Sequence, residues 1–199
     1  MARSVPSDRN SGKTCDTGLM LPSASVISAP DASEYAPYFS RYVSLVPGND
    51  IVTALEDQPG ETVSLLSAFN EEQGDYRYAP GKWSVKEMLG HVIDTERIFS
   101  YRALRFARGD QTPLASFEQD DFVRNAGFSA GRLADLIAEF VCVRRATVWL
   151  FRSLSAEAWI RRGVASGNPM SVRAAAYVIA GHELHHQRQL QEKYLTGLN

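Results

Sequence analysis

The four histidines of this sequence occupy only two places, and three of them have the types and spacing of metal ligands. His182 and His186 are four residues apart, so on a helix they share one face and lie one turn from each other. They fall on or beside the apolar face of the last predicted helix, and His91 lies at the edge of the apolar stripe of an earlier one. Three imidazoles that meet inside a helical bundle are three of the four ligands of an open transition-metal site. Water or substrate would complete such a site, and its metal would act as a Lewis acid or generate a thiolate or hydroxide.

A simpler interpretation competes with the metal site. Any single buried histidine is more often a core residue satisfied by hydrogen bonds than a ligand. The pair at i and i+4, together with an inward-facing histidine on a second helix, favours metal binding over that interpretation. His185 falls on the flank of the helix, about 100° from His186, and is predicted to be a rim residue.

Residues 182–186 also read His-Glu-x-x-His, the short motif of zinc peptidases, in which Glu183 would be the general base. The extended form of that motif requires glycine at 189 and histidine at 192, where this sequence has Gln189 and Glu192. Only 13 residues follow His186, and segments that predict strands for a substrate-binding sheet are almost absent. These features disfavour a peptidase.

Two carboxylates fall on the apolar stripes of the histidine-bearing helices, Glu96 on the earlier helix and Glu183 on the later one. Buried carboxylates need partners, and the candidates are Arg102 and the second ring nitrogens of the histidines. Glu96 is predicted to be structural. For Glu183 two roles stay open, a structural partner and a catalytic proton carrier. The pair Arg144-Arg145 is predicted to face solvent.

Long helices must position these side chains. Ser84 and Glu87 form a capping box that predicts a helix over 84–108, and apolar spacing predicts two more over 129–154 and 171–195. Before them, 32–46 is a short helical stretch, and Pro59-Gly60 separates predicted helices over 50–56 and 61–73. The sequence therefore predicts an all-α fold, an antiparallel four-helix bundle.

The connection over 109–128 is too long for a simple helical hairpin, which needs only about 2 to 8 residues. We expect a long crossover loop between core helices 2 and 3 of the bundle, which either crosses the bundle end or covers a site. Its acidic segment, 117–122, is either a cap over that site or a solvated turn.

Composition narrows the classes of function. The chain has 199 residues, 21 Lys and Arg, 23 Asp and Glu, and a net charge of −2, so it lacks the positive field that nucleic-acid binding requires. It has no apolar run long enough to span a membrane, no apolar secretory core at its start and two cysteines, which together predict a cytoplasmic protein. Residues 1–31 are predicted to be a flexible leader and 32–199 the folded domain.

With these residues assembled, the sequence resembles the DinB-like superfamily of metal-binding four-helix bundles, over about residues 32–195. The likeness is sharpest in Gly-Lys-Trp-Ser-Val-Lys-Glu-Met-Leu-Gly-His at 81–91 and in Ala-Gly-His-Glu-Leu-His-His at 180–186. The family places one ligand histidine on its second core helix and a His-x-x-x-His pair on its last. The resemblance therefore implies the ligand set His91, His182 and His186.

The resemblance also implies a divalent metal ion, with zinc or nickel favoured, a homodimer and a cytoplasmic setting. Relatives include thiol transferases that use mycothiol or bacillithiol, a thiol-dependent maleylpyruvate isomerase and metal-dependent hydrolases. We therefore expect a metal-dependent enzyme acting on a small molecule, most concretely an S-transferase for a low-molecular-weight thiol. The alternatives are a metal-dependent hydrolase assisted by Glu183 and a non-catalytic, stress-linked metal-binding protein.

Overall fold

The computed structural model describes residues 27–198, and α-helices dominate this part of the chain. The helices are α1 (Ser40–Val43), α2 (Ile51–Leu66), α3 (Val85–Ala107), α4 (Gln119–Ala126), α5 (Leu133–Arg152), α6 (Ala156–Ile160) and α7 (Val172–Gln189). Strands β1 (Arg162–Ala165) and β2 (Asn168–Ser171) form an antiparallel hairpin, and α7 continues into a π-helical turn, Leu190–Leu195. Residues 1–26 of the predicted leader lie outside the described residues. Within 27–198, no helix combines the length and the apolar character needed to cross a membrane.

The four long helices α2, α3, α5 and α7 form a bundle, which confirms the prediction of an all-α four-helix bundle. Both α2 and α3 pack against α5 and α7, so α2 and α3 occupy opposite corners. The core consists of two apolar clusters, one at each end of the bundle. The helices that carry the histidines, α3 and α7, are therefore direct neighbours.

The direction of the helices explains the long connection between α3 and α5. Leu89 and Leu136, early in each helix, share one apolar cluster, and Phe106 and Phe151, near the two C-terminal ends, share the other. The two helices therefore run in the same direction, and a short turn cannot join them. The chain over 108–132 must instead return along the whole length of the bundle, which confirms the predicted crossover.

On its way back, this crossover covers one face of α3. The carbonyl of Ala115 accepts a hydrogen bond from Arg102 Nη2 at 2.9 Å. Further along, the ring of Phe128 packs against Gly90, where any Cβ would collide with it. Of the two alternatives, the crossover therefore covers a face of the bundle rather than only crossing its end.

Helix α2 continues through Pro59, so the predicted break at Pro59-Gly60 is wrong. Proline has no N–H to donate to the carbonyl of Leu55, four residues earlier. Arg144 Nη1 donates to that carbonyl instead, at 3.1 Å. A side chain from α5 therefore replaces the hydrogen bond that proline removes, and the helix remains intact.

Arg144 lies in the core rather than in solvent, so the solvent-facing prediction holds only for its exposed neighbour Arg145. Nε and Nη2 of Arg144 each donate to one oxygen of Glu96 at 2.8 Å. Nη1 of Arg144 lies 2.6 Å from Oε2 of Glu183. Although burial alone would lower the pKa of Arg144, the two carboxylates raise it above its usual range. The partner of both acids is therefore Arg144, and the prediction of Arg102 is wrong.

The hairpin β1–β2 is the strand structure that sequence analysis missed. Its strands have four residues each, and its two-residue turn consists of Ser166 and Gly167, both with positive φ (54° and 74°). Such turns match the right-handed twist of a hairpin, but they favour Asn-Gly, and a serine there is strained. The strands are too short for alternating polarity to identify them.

We expect Arg144→Met to lower the free energy of unfolding by about 3–5 kcal/mol, because it leaves two carboxylates buried without a cation. Urea unfolding followed by circular dichroism measures this loss. Arg145→Met is the matched control, since it makes the same chemical change one residue away on an exposed position and should cost less than about 0.5 kcal/mol. Equal losses in the two variants would contradict a central role for Arg144.

Candidate metal centre

Helices α3 and α7 bring together the three histidines that the sequence singled out. Nε2 of His182 lies 3.0 Å from Nε2 of His91 and 3.1 Å from Nε2 of His186. All three side chains offer a ring nitrogen to a common point, with these atoms within 4.8 Å of one another, and all three residues are buried. His185, by contrast, is half-buried, and its Nε2 lies 2.7 Å from Nε2 of Gln189.

The spacing of these nitrogens fits a single metal ion. Two ligands at about 2.1 Å from one ion, with angles of about 90 to 110° between them, are separated by about 3.0 to 3.4 Å. A hydrogen-bonding account fits less well, because Nε2 of His182 contacts two other ring nitrogens and a neutral imidazole nitrogen is either a donor or an acceptor. A cation bound to all three lone pairs satisfies the three Nε2 atoms at once.

The histidines are held in the form that binds metal. Burial lowers the pKa of His91 to about 4, and burial followed by the neighbouring histidines lowers the pKa of His182 and His186 well below the usual range. All three are therefore neutral near pH 7 and have lone pairs available for a cation. The donor set of three neutral imidazoles suits zinc, nickel and other first-row divalent ions.

Close packing fixes the orientation of the rings. The indole of Trp83 lies over His91 with ring centroids 4.6 Å apart, and the ring of Tyr42 meets His182 edge-on at 5.2 Å. Helix α1 approaches α7 so closely that a Cβ on Gly181 would collide with the backbone carbonyl of Tyr42. The glycine before His182 therefore allows Tyr42 to reach the site.

The carboxylate of Glu183 contacts side chains other than the histidines. Its Oε1 accepts a hydrogen bond from Thr62 Oγ1 at 2.5 Å, and its Oε2 lies beside Arg144. Gln187 Nε2 donates to the same Thr62 hydroxyl at 2.7 Å, so the network between α2 and α7 extends one helical turn beyond Glu183. Burial raises the pKa of Glu183 despite the opposing effect of Arg144. Glu183 therefore belongs to a buried polar network with Thr62, Arg144 and Gln187.

Sequence analysis missed Arg144, Thr62 and Gln187 as members of this network. The spacing did contain a signal for Arg144, which lies four residues after Phe140 and four before Val148 on the buried stripe of α5. An arginine on an apolar stripe, with two acids on the stripes of other helices, predicts a buried ion cluster. Thr62 and Gln187 gave no comparable signal.

Two cavities meet at the histidines. The first has a volume of about 370 Å³ and includes His91 and His182 in its wall, and most of the surface that it exposes is apolar, contributed by side chains such as Phe99, Phe117 and Val178. The crossover forms its outer wall, so segment 117–122 contributes to a cap, as one of the two sequence interpretations proposed. Cavities of this size suit small molecules.

The second cavity, of about 360 Å³, adjoins the first and has His91 and His186 in its lining. Its lining is more polar and includes Arg41, Lys82 and Gln189. His91 borders both cavities, so a ligand in either could reach the common point of the three nitrogens.

Comparison with known proteins gives both a family and a fold. Residues 54–190 match the model of the DinB superfamily, which confirms the resemblance seen in the motifs. No curated protein matches the chain in sequence.

Three solved structures share the fold. YfiT from Bacillus subtilis, described as a probable metal-dependent hydrolase with an unusual four-helix bundle topology, is 16% identical with a TM-score of 0.68 and covers 82% of this chain and 93% of its own. A mycothiol-dependent maleylpyruvate isomerase is 13% identical with a TM-score of 0.62 and covers 74% of this chain and 62% of its own. The DinB-like protein YjoA from Bacillus subtilis is 19% identical with a TM-score of 0.55 and covers 76% and 93%. At these identities the likeness is one of fold.

We expect untagged wild-type protein to contain about one equivalent of a divalent metal, measured by inductively coupled plasma mass spectrometry. His91→Ala, His182→Ala and His186→Ala should each lose it, because each removes one of three converging nitrogens. His185→Ala is the matched control on the same helix and should retain the metal. A wild type without metal that also takes up neither zinc nor nickel on titration would contradict the site.

Proposed function

Because the chain belongs to the DinB superfamily, we propose that it is a metal-dependent enzyme acting on small molecules, most concretely a transferase of a low-molecular-weight thiol to an electrophile. The observation that carries this proposal is the position of three converging histidine nitrogens where two cavities of unlike polarity meet. Proteins that share a fold can catalyse different reactions, so the reaction must be inferred from the residues and cavities of the site.

In this proposal His91, His182 and His186 bind one divalent ion, with zinc and nickel as the favoured metals. When bound, such an ion lowers the pKa of a thiol or water that shares its coordination shell. Trp83 and Tyr42 keep two of the imidazole rings oriented, and the crossover covers one side of the first cavity. Arg144 positions the site by holding Glu96 of α3 and Glu183 of α7.

The pair of cavities supports a reaction with two substrates. The cavity that contains Arg41, Lys82 and Gln189 suits a hydrophilic thiol rich in hydroxyl and carboxylate groups. The cavity lined by Phe99 and Phe117 suits an electrophile with an apolar body. In the transfer, the thiol proton goes to solvent, the sulfur forms a bond to the electrophilic carbon, and the leaving group departs with its electron pair.

Hydrolysis is the second candidate, and the likeness to the fold of YfiT favours it. In that reaction water would replace the thiol, and Glu183 would be the catalytic residue that accepts its proton, as the sequence predicted. The contacts of Glu183 with Thr62 and Arg144 support a positioning role for this carboxylate instead. The third alternative, a stress-linked protein that binds metal without turnover, requires the same ligands.

The proposal extends to the setting of the protein, a cytoplasmic homodimer that acts on neither nucleic acid nor membrane. The net charge of −2 supports the absence of a nucleic-acid partner. The side chain of Trp149 on α5 is 62% exposed, and an exposed tryptophan supports an interface on that helix.

We expect zinc- or nickel-loaded protein to consume 1-chloro-2,4-dinitrobenzene only when a thiol is present, because the electrophile needs an activated sulfur. Mycothiol, bacillithiol, coenzyme A and glutathione are tested separately, with formation of the thioether followed by absorbance. His91→Ala should reduce the rate to that of the uncatalysed reaction, and Arg97→Met, a change at an exposed residue of the same helix outside both cavities, should retain most of the activity.

The same preparations distinguish the alternatives. Hydrolysis of 4-nitrophenyl acetate without thiol, lost in His91→Ala, would favour the hydrolase over the transferase. Full metal occupancy with turnover of neither substrate class would reject both enzymatic functions and favour the binding protein.

A further inference from the structure

Arg102 is a buried cation for which the described residues supply no carboxylate. The residue is only 3% exposed, and burial alone lowers its pKa, with no acid raising it. Arg144, in the other part of the core, shows the usual arrangement, in which two carboxylates neutralise a buried guanidinium. A buried charge without a partner is costly, so Arg102 requires an explanation that Arg144 does not.

The guanidinium of Arg102 is held in place by groups that leave most of its donors free. Its Nη2 donates to the carbonyl of Ala115 at 2.9 Å and to Oγ of Ser166 at 3.0 Å. Both hydrogen bonds use the same nitrogen, and an arginine has five N–H donors in all. The rings of Phe99 and Phe117 flank it, with centroids 5.0 and 5.8 Å from the guanidinium carbon. The side chain is thus oriented by neutral groups.

Ser166 adds a second observation at the same place. It is the only non-glycine residue with positive φ in the described part of the chain, and strain of this kind persists only where the surroundings enforce it. Its hydroxyl contacts Arg102, and both residues border the first cavity. The strained hairpin turn therefore supports the guanidinium from outside the bundle.

Arg102 and the metal centre belong to one cavity. His91, Thr95, Phe99 and Arg102 follow each other along one face of α3, and all four line the cavity of about 370 Å³. The Cα atoms of His91 and Arg102 are about 16 Å apart along the helix axis, and the arginine side chain leans back towards the histidine. Between them, the hydroxyl oxygen of Thr95 is buried without a hydrogen-bond partner among the described residues.

We propose that this cavity binds a small organic acid, with Arg102 holding its carboxylate at one end while its reacting end lies at the three histidines. The inference rests on the proposed function, since it takes the cavity to be the site of the electrophile, and it adds the chemical class of that substrate. A carboxylate is favoured over a phosphate because Arg102 is the one permanent cation in the cavity lining and balances a single charge. Glu118 and Asp120 also border the cavity, but both are exposed, and solvent screens them.

The test compares benzoate with its neutral isostere benzamide, with binding measured by isothermal titration calorimetry on the protein as purified. We expect wild type to bind benzoate at least tenfold more tightly than benzamide. Arg102→Met should abolish this preference, and Arg102→Lys should retain part of it, because a lysine keeps the charge without the planar fork. Arg97→Met is the matched control, since Arg97 is an exposed arginine on the same helix that pairs with Glu139, and it should leave the preference unchanged.

His91→Ala separates this inference from the metal-dependent function. A preference for benzoate that survives in His91→Ala and disappears in Arg102→Met supports the acid site even if the enzyme assays fail. A preference that disappears in His91→Ala but survives in Arg102→Met would assign the anion to the metal and overturn the inference. Equal binding of benzoate and benzamide by wild type would also overturn it.

Because Arg102 also anchors the crossover, Arg102→Met is checked for folding by thermal unfolding. If Arg102→Met does not fold, Ser166→Ala provides the test. It removes one hydrogen bond of the Arg102 guanidinium and keeps the positive charge of Arg102. We expect it to weaken benzoate binding about two- to fivefold and to leave benzamide binding unchanged. Unchanged benzoate binding in Ser166→Ala would then count against the site.

Discussion

The ion cluster around Arg144 is the constraint on which the rest of this structure depends. One guanidinium from α5 joins Glu96 of α3, Glu183 of α7 and the carbonyl of Leu55 on α2, so a single side chain touches all four helices of the bundle. Glu96 lies five residues after His91, and Glu183 directly follows His182. The cluster therefore fixes how far α3 and α7 slide past each other, and this sets the distance between the histidines. A proline in α2 is part of the same arrangement, because it frees the carbonyl that Arg144 needs.

The second constraint is topological. Since α3 and α5 run in the same direction, the chain between them returns along the bundle and covers the face of α3 that carries His91 and Arg102. A bundle of antiparallel hairpins would leave that face open to solvent or cover it with a neighbouring helix. Here the necessary return path becomes the outer wall of a cavity. The fold thus creates a partly covered cavity beside the histidines without any additional domain.

The sequence predicted those features that depend on periodicity within one helix. His91, His182 and His186 were identified because four-residue spacing and apolar stripes place side chains on a face, and the crossover was identified from its length. It could not predict features that depend on which helices meet. Arg144 is followed by the charged Arg145, and the two resemble a solvated pair until Glu96 and Glu183 are known to face Arg144. Pro59 is a helix breaker in isolation, and only Arg144 makes its position in α2 stable. The hairpin escaped notice because its turn uses Ser166 where local preference favours asparagine.

The separation of the histidines along the chain has a consequence for how the metal would enter. His91 and His182 are 91 residues apart, and most contacts of α7 are with α1, α2 and α3, which lie far from it in sequence. Contacts between such distant segments close late in folding, since the entropy of joining them must be overcome first. The complete ligand set therefore exists only once α7 has docked, and a bound ion stabilises that docked state through linkage. Detachment of α7 would separate His91 from His182 and His186 and release the ion, so the lifetime of the bound metal would set an upper limit on how often that helix opens.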